Sequence, residues 1–351
     1  MSREVSPAVE TREPIRIALP SKGSLCDGAI ELLKTAGYKV RRAGDRQYEA
    51  SVAGHPRLHV VFMRPSDIVT QVCEGRCTLG VTGLDLYAER AGDDDRALVV
   101  KPDLGYGGCR LVVAVPESWV DVNHVADLVE LTSDFKAAGR TFRISTKYPH
   151  VTRSYLRRWG IYYYQLIDSD GALELQPLLG IADAIVDLTS SGATLKDNRL
   201  KEVEGGNVLE SNACLVGHVA ALRRLVDEGD EGELAVLLDA LDGVLGVESL
   251  LHIEVVGGAS DSGSTSADAA AAVASHLRAQ AARQVVRGEV WDDRGAPGWR
   301  VTALLASNRL AACRRRLFAL GAARVVGVPA RFVFDREAKS TLDDLVSRLR
   351  L

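Results

Sequence analysis

The chain has 351 residues, of which 46% are hydrophobic and 26% charged, and its formal net charge is −4. This length exceeds one ordinary core and predicts two or three domains, while the negative charge argues against nucleic-acid binding as the main activity. Residues 1–14 are polar and form a predicted disordered lead-in without a secretory signal. No apolar run approaches the roughly 20 residues of a membrane helix. We therefore expect a cytoplasmic protein whose partners are neither nucleic acids nor membranes.

The cysteines are scattered, which favours free thiols in a reducing compartment. Cys73 and Cys77 share a face if that segment is helical. They are interpreted either as a metal pair or as small buried hydrophobic residues, and the lack of a second ligand pair favours burial.

Strands and helices alternate through the first part of the chain. The pattern predicts strands at 15–20, 60–63 and 78–83, a helix at 27–36, and a helix at 68–74 capped by Ser66. Such alternation is typical of a mostly parallel sheet with ligands at the carboxyl ends of its strands. Residues 15–101 are accordingly assigned to a first α/β lobe, lobe I.

A second α/β lobe, lobe II, is predicted for residues 102–212. Its predicted strands are 111–116, 143–146 and 162–167, and its predicted helices are 151–159 and 175–179. A further strand at 213–217 is expected to return to lobe I, so residues 213–225 are assigned there.

Residues 226–351 form a predicted small C-terminal domain. The order strand, helix, strand, strand, helix, strand is ferredoxin-like and typical of small ligand-sensing modules. Residues 257–266 form a predicted flexible Gly/Ser loop. The basic run 314–316 fits a solvated helical face better than a nucleic-acid patch.

One stretch carries the strongest chemical signal. A short apolar run reaches Asp187, and the chain then continues through small and hydroxylated residues to a helix start: Ser190, Ser191, Gly192, Ala193, Thr194 and Leu195. Unpaired amides at a helix start, hydroxyl donors and a glycine that permits close approach suit a phosphate monoester. The alternative is an ordinary strand-to-helix turn capped by a hydroxyl group.

Other predicted strand ends carry charged side chains. Lys22, Arg64 and Arg110 can neutralise phosphate, and Asp85 and Glu174 are acids that follow strands. Each has a structural alternative, such as pairing of Arg64 with Asp67 or capping of a helix by Glu174. Together they favour a cleft for a phosphorylated substrate.

Six segments resemble the long form of ATP phosphoribosyltransferase, the first enzyme of histidine biosynthesis. They are Leu19–Leu25, Arg64–Ile68, Leu79–Asp85, Leu104–Arg110, Thr146–His150 and Gly171–Leu195. The resemblance implies a two-lobe α/β core like a periplasmic binding protein, followed by a small regulatory domain. It also implies transfer of phosphoribosyl from phosphoribosyl pyrophosphate to N1 of ATP, with Mg²⁺ bound through substrate oxygens. Assembly into dimers or hexamers and a histidine or other small-molecule effector are further implications.

The resemblance also implies roles for residues. Residues Ser190 to Leu195, with Gly171 and Asp187, would bind phosphoribosyl pyrophosphate, and Glu174, Asp187 and Lys22 would be catalytic. The nucleotide and pyrophosphate side would comprise Lys22, Gly23, Ser24, Arg64, Ser66, Asp67, Gly83, Asp85, Gly108, Arg110 and Tyr148.

Several positions depart from the family pattern. Leu188 replaces the second of two adjacent acids, and Ser24 and Ala172 replace larger or polar residues. A Ser-Pro-Thr segment associated with histidine binding is missing where residues 284–287 fall. Two alternatives therefore stay open: a related transferase that uses another heterocyclic nitrogen acceptor, and a non-catalytic ligand-binding regulator.

Overall fold

A computed structural model describes residues 13–42, 44, 47–92, 94–169, 171–246, 250–258, 266–291, 297–331, 333 and 340–350. Residues 1–12 of the predicted lead-in, 259–265 of the Gly/Ser loop and 334–339 of the tail lie outside these ranges. The chain divides into two compact units, Met1–Asp239 with Lys339–Leu351, and Ala240–Ala338. The predicted start of the C-terminal domain at residue 226 differs from this division because Arg57 of the first unit pairs with Asp230.

The first unit contains twelve of the strands found in the described residues. They are β1 Ile15–Pro20, β2 Val40–Arg41, β3 Glu49–Val52, β4 His55–Met63, β5 Leu79–Gly83, β6 Ala97–Lys101, β7 Cys109–Pro116, β8 Phe142–Thr146, β9 Tyr164–Asp168, β10 Ala184–Thr189, β11 Leu200–Ser211 and β12 Ala213–His218. Its helices are α1 Ser24–Thr35, α2 Pro65–Cys73, α3 Leu84–Arg90, α4 Val125–Ala137, α5 Pro149–Arg158, α6 Ala193–Asp197, α7 Val219–Asp227 and, at the tail, α11 Thr341–Leu349. Helix α8, Gly232–Leu245, spans the boundary between the units.

Lobe I is built on a seven-stranded sheet with the order β2-β3-β4-β1-β5-β12-β6. Strands β4 and β5 flank β1 in parallel, so the turns that follow these three strands meet at one edge. The predicted return of the chain after lobe II is confirmed, since β12 pairs with β5 and β6. The sheet is mixed rather than mostly parallel, because β12 enters antiparallel and β2 to β4 form antiparallel pairs.

Lobe II is built on a five-stranded sheet with the order β11-β7-β10-β8-β9. Strands β8, β9 and β10 are parallel, whereas β7 runs antiparallel to β10 and β11 runs antiparallel to β7. One face packs against α4 and α5 through residues such as Leu111, Val113 and Leu128. The opposite face, which we call the site face, buries Val112, Ala114 and Ile185 under Leu173, Leu195 and Leu200.

The C-terminal unit has the predicted ferredoxin-like arrangement. Its elements are β13 Leu250–Gly258, α9 Ser266–Ala279, β14 Arg283–Trp291, β15 Pro297–Ala306, α10 Ser307–Ala319 and β16 Arg324–Pro329. The sheet order β14-β15-β13-β16 places the first and third strands in the centre. Buried residues from β13, β15, α9 and α10 form its core, among them Ile253, Val273, Trp299 and Leu317. The basic run Arg314–Arg316 is exposed on α10, as expected for a solvated face.

Two local predictions are wrong, and one strand was missed. Helix α2 begins at Pro65 with Arg64 as its N-cap, so Ser66 does not cap it and instead donates a hydrogen bond to the Asp67 carboxylate (3.2 Å). The predicted helix at 175–179 is a short 3-10 turn at Leu173–Leu175. Strand β11 was not predicted, because glycines interrupt its polar alternation. No helix among the described residues is long and apolar enough to cross a membrane.

Candidate active site

The loop after β10 presents backbone amides and hydroxyl groups at the end of the strand. Gly192 has a φ of 75°, which a glycine adopts without strain, and its N–H donates to the Thr189 hydroxyl (2.8 Å). Within the described part of the chain, no group accepts a loop or turn hydrogen bond from the amides of Ser190, Ser191, Thr194 or Leu195. Ser190, Ser191 and Thr194 are exposed, whereas Leu195 is buried on the site face. The loop can therefore offer several hydrogen-bond donors to an anion, while the buried Leu195 side chain anchors the loop to the sheet.

Asp187 lies on the site face next to this loop. In the antiparallel ladder it stands opposite Val112, as Thr189 stands opposite Arg110. Its Oδ1 accepts the N–H of Leu188 (2.8 Å). Burial raises the pKa of this carboxyl group, and the negative charge of Glu174 raises it further, whereas the positive charge of Lys147 opposes the rise. Asp187 is thus a half-buried acid in a charged surrounding, as a functional acid often is.

Glu174 reaches the same place from the 3-10 turn that follows β9. Leu173 buries its side chain on the site face, which fixes the turn against the sheet. Ala172, just before it, has a φ of 48°, a conformation that a residue with a Cβ adopts at some cost. Gly171 is exposed at the start of this turn. The structure therefore brings Glu174 near Asp187.

Arg110 is the second residue of β7, and the antiparallel direction of β7 places it at the carboxyl end of β10, opposite Thr189. Its guanidinium forms a two-pronged pair with Glu202 of β11, at 3.0 and 3.2 Å. A Cβ on Gly192 would lie 3.1 Å from the Glu202 carboxylate. The pair therefore borders the loop after β10, in lobe II.

Asp85 is a buried carboxylate that fastens the two lobes together. It lies in the first turn of α3 in lobe I, and its exposed fraction is 5%. Tyr148 of lobe II donates its hydroxyl to Oδ2 (2.8 Å), and the Ser211 hydroxyl donates to Oδ1 (2.6 Å). Burial and the Asp85 charge raise the pKa of the Tyr148 hydroxyl far above its ordinary value. Both oxygens of Asp85 are therefore engaged, and Tyr148 stays a neutral donor.

The remaining predicted residues lie at the strand ends of lobe I and at its connection to lobe II. Lys22, Gly23 and Ser24 follow β1 and are exposed, and Gly23 has a φ of 81°. Exposed Arg64 and Asp67 and half-buried Ser66 follow β4, and buried Gly83 ends β5. The predicted Arg64–Asp67 contact is a backbone bond from the Asp67 N–H to the Arg64 carbonyl (2.9 Å). A Cβ on Gly108 would lie 3.2 Å from the amide oxygen of Asn212.

Four residues at this site were not among those predicted: Thr189, Lys147, Glu202 and Ser211. The segment Thr146–His150 contained Lys147, but its position next to Asp187 depends on strand pairing. Glu202 and Ser211 lie on β11, which pattern reasoning missed. Identifying them requires the order of the strands in the sheet, which local sequence patterns do not show.

No group of three or more His, Cys, Asp or Glu side chains in the described ranges is arranged to hold a metal ion. Asp187 and Glu174 nevertheless suit Mg²⁺ chemically, because that ion prefers oxygen ligands and is commonly bound by one or two carboxylates plus substrate phosphates. The mutual repulsion that raises the pKa of Asp187 would be relieved by a cation.

A loop of amides and hydroxyls beside two acids, with cations at neighbouring strand ends, is typical of α/β proteins that bind phosphorylated ligands. The family model described as "HisG: ATP phosphoribosyltransferase" matches residues 64–243. The chain belongs to the ATP phosphoribosyltransferase family. The match to the family model extends only four residues into the C-terminal unit, which begins at Ala240.

Relatives of this chain carry the name of the family. A protein of Brucella suis named ATP phosphoribosyltransferase is 43% identical over 205 residues, which cover 58% of this chain and 89% of the relative. A protein of Mesorhizobium japonicum with that name is 39% identical over 235 residues, covering 66% of this chain and all of the relative (100%).

The chain is also similar to solved structures. An ATP phosphoribosyl transferase (HisG:HisZ) complex from Thermotoga maritima gives a TM-score of 0.48 at 24% identity, covering 65% of this chain and 98% of that one. The periplasmic aliphatic sulphonate-binding protein SsuA from Escherichia coli gives 0.38 at 16% identity, covering 66% and 74%.

Proposed function

We propose that this chain transfers the phosphoribosyl group of phosphoribosyl pyrophosphate to N1 of the adenine of ATP, releasing pyrophosphate. This is the first step of histidine biosynthesis. The observation that carries the proposal is the loop from Ser190 to Leu195 beside Asp187 and Glu174. Family membership favours ATP as the acceptor over another heterocycle.

Phosphoribosyl pyrophosphate, the phosphoribosyl donor, is proposed to bind lobe II. The hydroxyls and backbone amides of Ser190, Ser191 and Thr194 hold the 5-phosphate, Gly192 and Ala193 carry the loop backbone around it, and Leu195 anchors the loop. Asp187 accepts hydrogen bonds from the ribose hydroxyls. Gly171 lets the turn that carries Glu174 approach the ribose, so that this acid faces the reacting carbon. These roles are supported by the exposure of the donors and by the closeness of the two acids.

The reaction joins an existing lone pair to an electrophilic carbon. Adenine N1 attacks C1 of the ribose while the bond from C1 to pyrophosphate breaks, so positive charge builds on the ring and negative charge on the leaving group. Glu174 and Asp187 stabilise the positive ring. No general base is needed, because N1 carries no proton to remove, and positioning of two anionic substrates supplies much of the rate.

Mg²⁺ would neutralise pyrophosphate oxygens when bound, held mainly through substrate oxygens, with Asp187 and Glu174 as the carboxylates proposed to lie beside it. Lys22 and Arg64 add positive charge from lobe I for the nucleotide and pyrophosphate groups. Gly23, Ser24, Ser66, Asp67, Gly83 and Gly108 shape that side of the cleft. Asp85 and Tyr148 contribute by fastening the lobes, since their polar atoms bond to each other.

The activity is tested by incubating the full chain with ATP, phosphoribosyl pyrophosphate and Mg²⁺ and measuring phosphoribosyl-ATP. Asp187→Ala and Thr194→Val should weaken donor binding, whereas Asp134→Ala, exposed on α4, should not. Absence of product with ATP but formation with another heterocycle would identify a related transferase. Binding without pyrophosphate release would identify a non-catalytic regulator.

The C-terminal unit is proposed to bind a small-molecule effector, with histidine the first to be tested. A cavity of about 650 Å³ lies among α9, β14 and β15, bordered by Arg278, Arg287, Glu289, Trp291 and Trp299. Its aromatic and charged lining suits a small charged molecule. The ATP reaction run with and without histidine tests this role. Assembly into dimers or hexamers is also proposed and is measured by light scattering.

A further inference from the structure

Lys147 occupies a position at the site that sequence patterns did not reveal. It follows the last residue of β8, and β8 pairs in parallel with β10 so that Thr146 stands beside Val186. The next residues along, Lys147 and Asp187, therefore come level with each other at the carboxyl edge of the sheet. Thr146 and Tyr148 are buried, whereas Lys147 is exposed. The ammonium group is thus presented at the edge where ligands bind in parallel sheets.

The two sides of Asp187 differ in character. On the side of β7 and β11, Leu195 packs with Val112, Ala114 and Leu200, so the loop proposed to hold the 5-phosphate lies there. On the other side lie β8 and Lys147. In the binding mode proposed above, the 5-phosphate of the phosphoribosyl donor lies in this loop and its ribose lies at Asp187, so the C1 substituent extends towards β8 rather than back towards α6. That substituent is the pyrophosphate group.

We propose that Lys147 binds the pyrophosphate group of the donor and stabilises it as it leaves. This inference rests on the proposed function and adds a residue that it did not include. In the transfer step, the bond between C1 and the pyrophosphate oxygen breaks and its electron pair leaves with pyrophosphate. The adenine N1 lone pair forms the new bond to C1. Lys147 keeps its proton throughout and acts as a point charge.

A second consequence concerns Asp187. The positive charge of Lys147 lowers the pKa of that carboxyl group against the effects of burial and Glu174. An ionised Asp187 is the better acceptor for ribose hydroxyls. When pyrophosphate departs with its counter-charges, Lys147 remains beside Asp187 and keeps the site ready for the next donor.

The test compares full-length Lys147→Gln, Lys147→Arg and wild type by calorimetry with three probes: Mg²⁺–pyrophosphate, ribose 5-phosphate and phosphoribosyl pyrophosphate. Loss of a charged contact should weaken pyrophosphate and donor binding about 10- to 100-fold in Lys147→Gln. Ribose 5-phosphate binding should weaken much less, because Lys147 affects it only through Asp187, and Lys147→Arg should restore most of the loss. Lys136→Gln, on α4 at the opposite face, carries the same charge change and should bind like wild type.

The possible outcomes separate the two proposals. Pyrophosphate binding in Lys147→Gln equal to that of the Lys136→Gln control overturns the role of Lys147. Equal weakening of pyrophosphate and ribose 5-phosphate also overturns it, because Lys147 would then act only through Asp187. A wild-type chain that binds pyrophosphate through Lys147 but makes no phosphoribosyl-ATP refutes the proposed acceptor and leaves the inference standing.

Discussion

Replacing Tyr148 with phenylalanine removes one hydrogen bond between the two lobes and little else. The ring belongs to the core of lobe II and keeps its packing, while Asp85 loses the donor to Oδ2. Asp85 and Tyr148 are 5% and 4% exposed, so water does not readily replace the lost partner. A hydrogen bond to a charged group contributes about 1.5–3 kcal/mol, and we expect a loss of this size in the free energy of unfolding.

The measurement is urea denaturation of the full chain, with Tyr87→Phe as the control. The Tyr87 hydroxyl donates to the neutral Ala97 carbonyl (3.0 Å), so its loss should cost about 0.5–1.5 kcal/mol. The KM for ATP should stay at the wild-type value in Tyr148→Phe, because its hydroxyl is occupied by Asp85. A variant as stable as Tyr87→Phe but with a raised KM for ATP would refute this reasoning and indicate direct nucleotide contact.

Three further predictions follow from the same network of charges. Asp187→Asn should be more stable than wild type at pH 7, because the raised pKa of Asp187 means that its ionised form lowers the stability of the fold. The gain should vanish below the pKa of about 4 that an aspartate has in the unfolded chain, and urea denaturation over a series of pH values measures it. Glu202→Gln should free Arg110 and tighten ribose 5-phosphate binding by up to about fivefold in calorimetry, the range of a half-exposed ion pair. Glu89 accepts the first amides of α5, from His150 and Val151 (both 3.0 Å), so Glu89→Ala should cost about 0.5–2 kcal/mol of unfolding free energy; a loss below that of an exposed control, Glu130→Ala on α4, would contradict the capping role.

The regular elements with strong apolar patterns were predictable. The strands β1 and β10 and the C-terminal strands consist of runs or alternations of apolar residues. The ferredoxin-like fold followed from the order of strands and helices in the C-terminal part. Strand β11 was missed because Gly205 and Gly206 interrupt it, and its ladder with β7 is irregular between Glu202 and Leu209. Such a strand is stabilised by its neighbour rather than by its own pattern.

The part of the candidate site that lies in one contiguous segment was predictable, and the part that is assembled by strand pairing was not. The loop from Ser190 to Thr194 is a short contiguous signal that residue types alone suggest. Glu202, the partner of Arg110, and Ser211, one of the two partners of Asp85, lie on β11, far along the chain, so no local pattern could supply them. Lys147 becomes significant only when β8 and β10 are known to be neighbours.

The contrast between Asp85 and Asp187 explains how one fold uses two similar acids for different purposes. Both lie at the carboxyl end of a strand, and the sequence treats them alike. Asp85 receives two hydroxyl donors and is buried, so its charge is satisfied within the protein. Asp187 receives one backbone amide and faces Glu174, so its ionised form is only partly stabilised. An acid left in this state gains most when a ligand brings hydroxyl donors and cations. In the proposed reaction, binding energy is therefore concentrated where the ribose ring becomes positive.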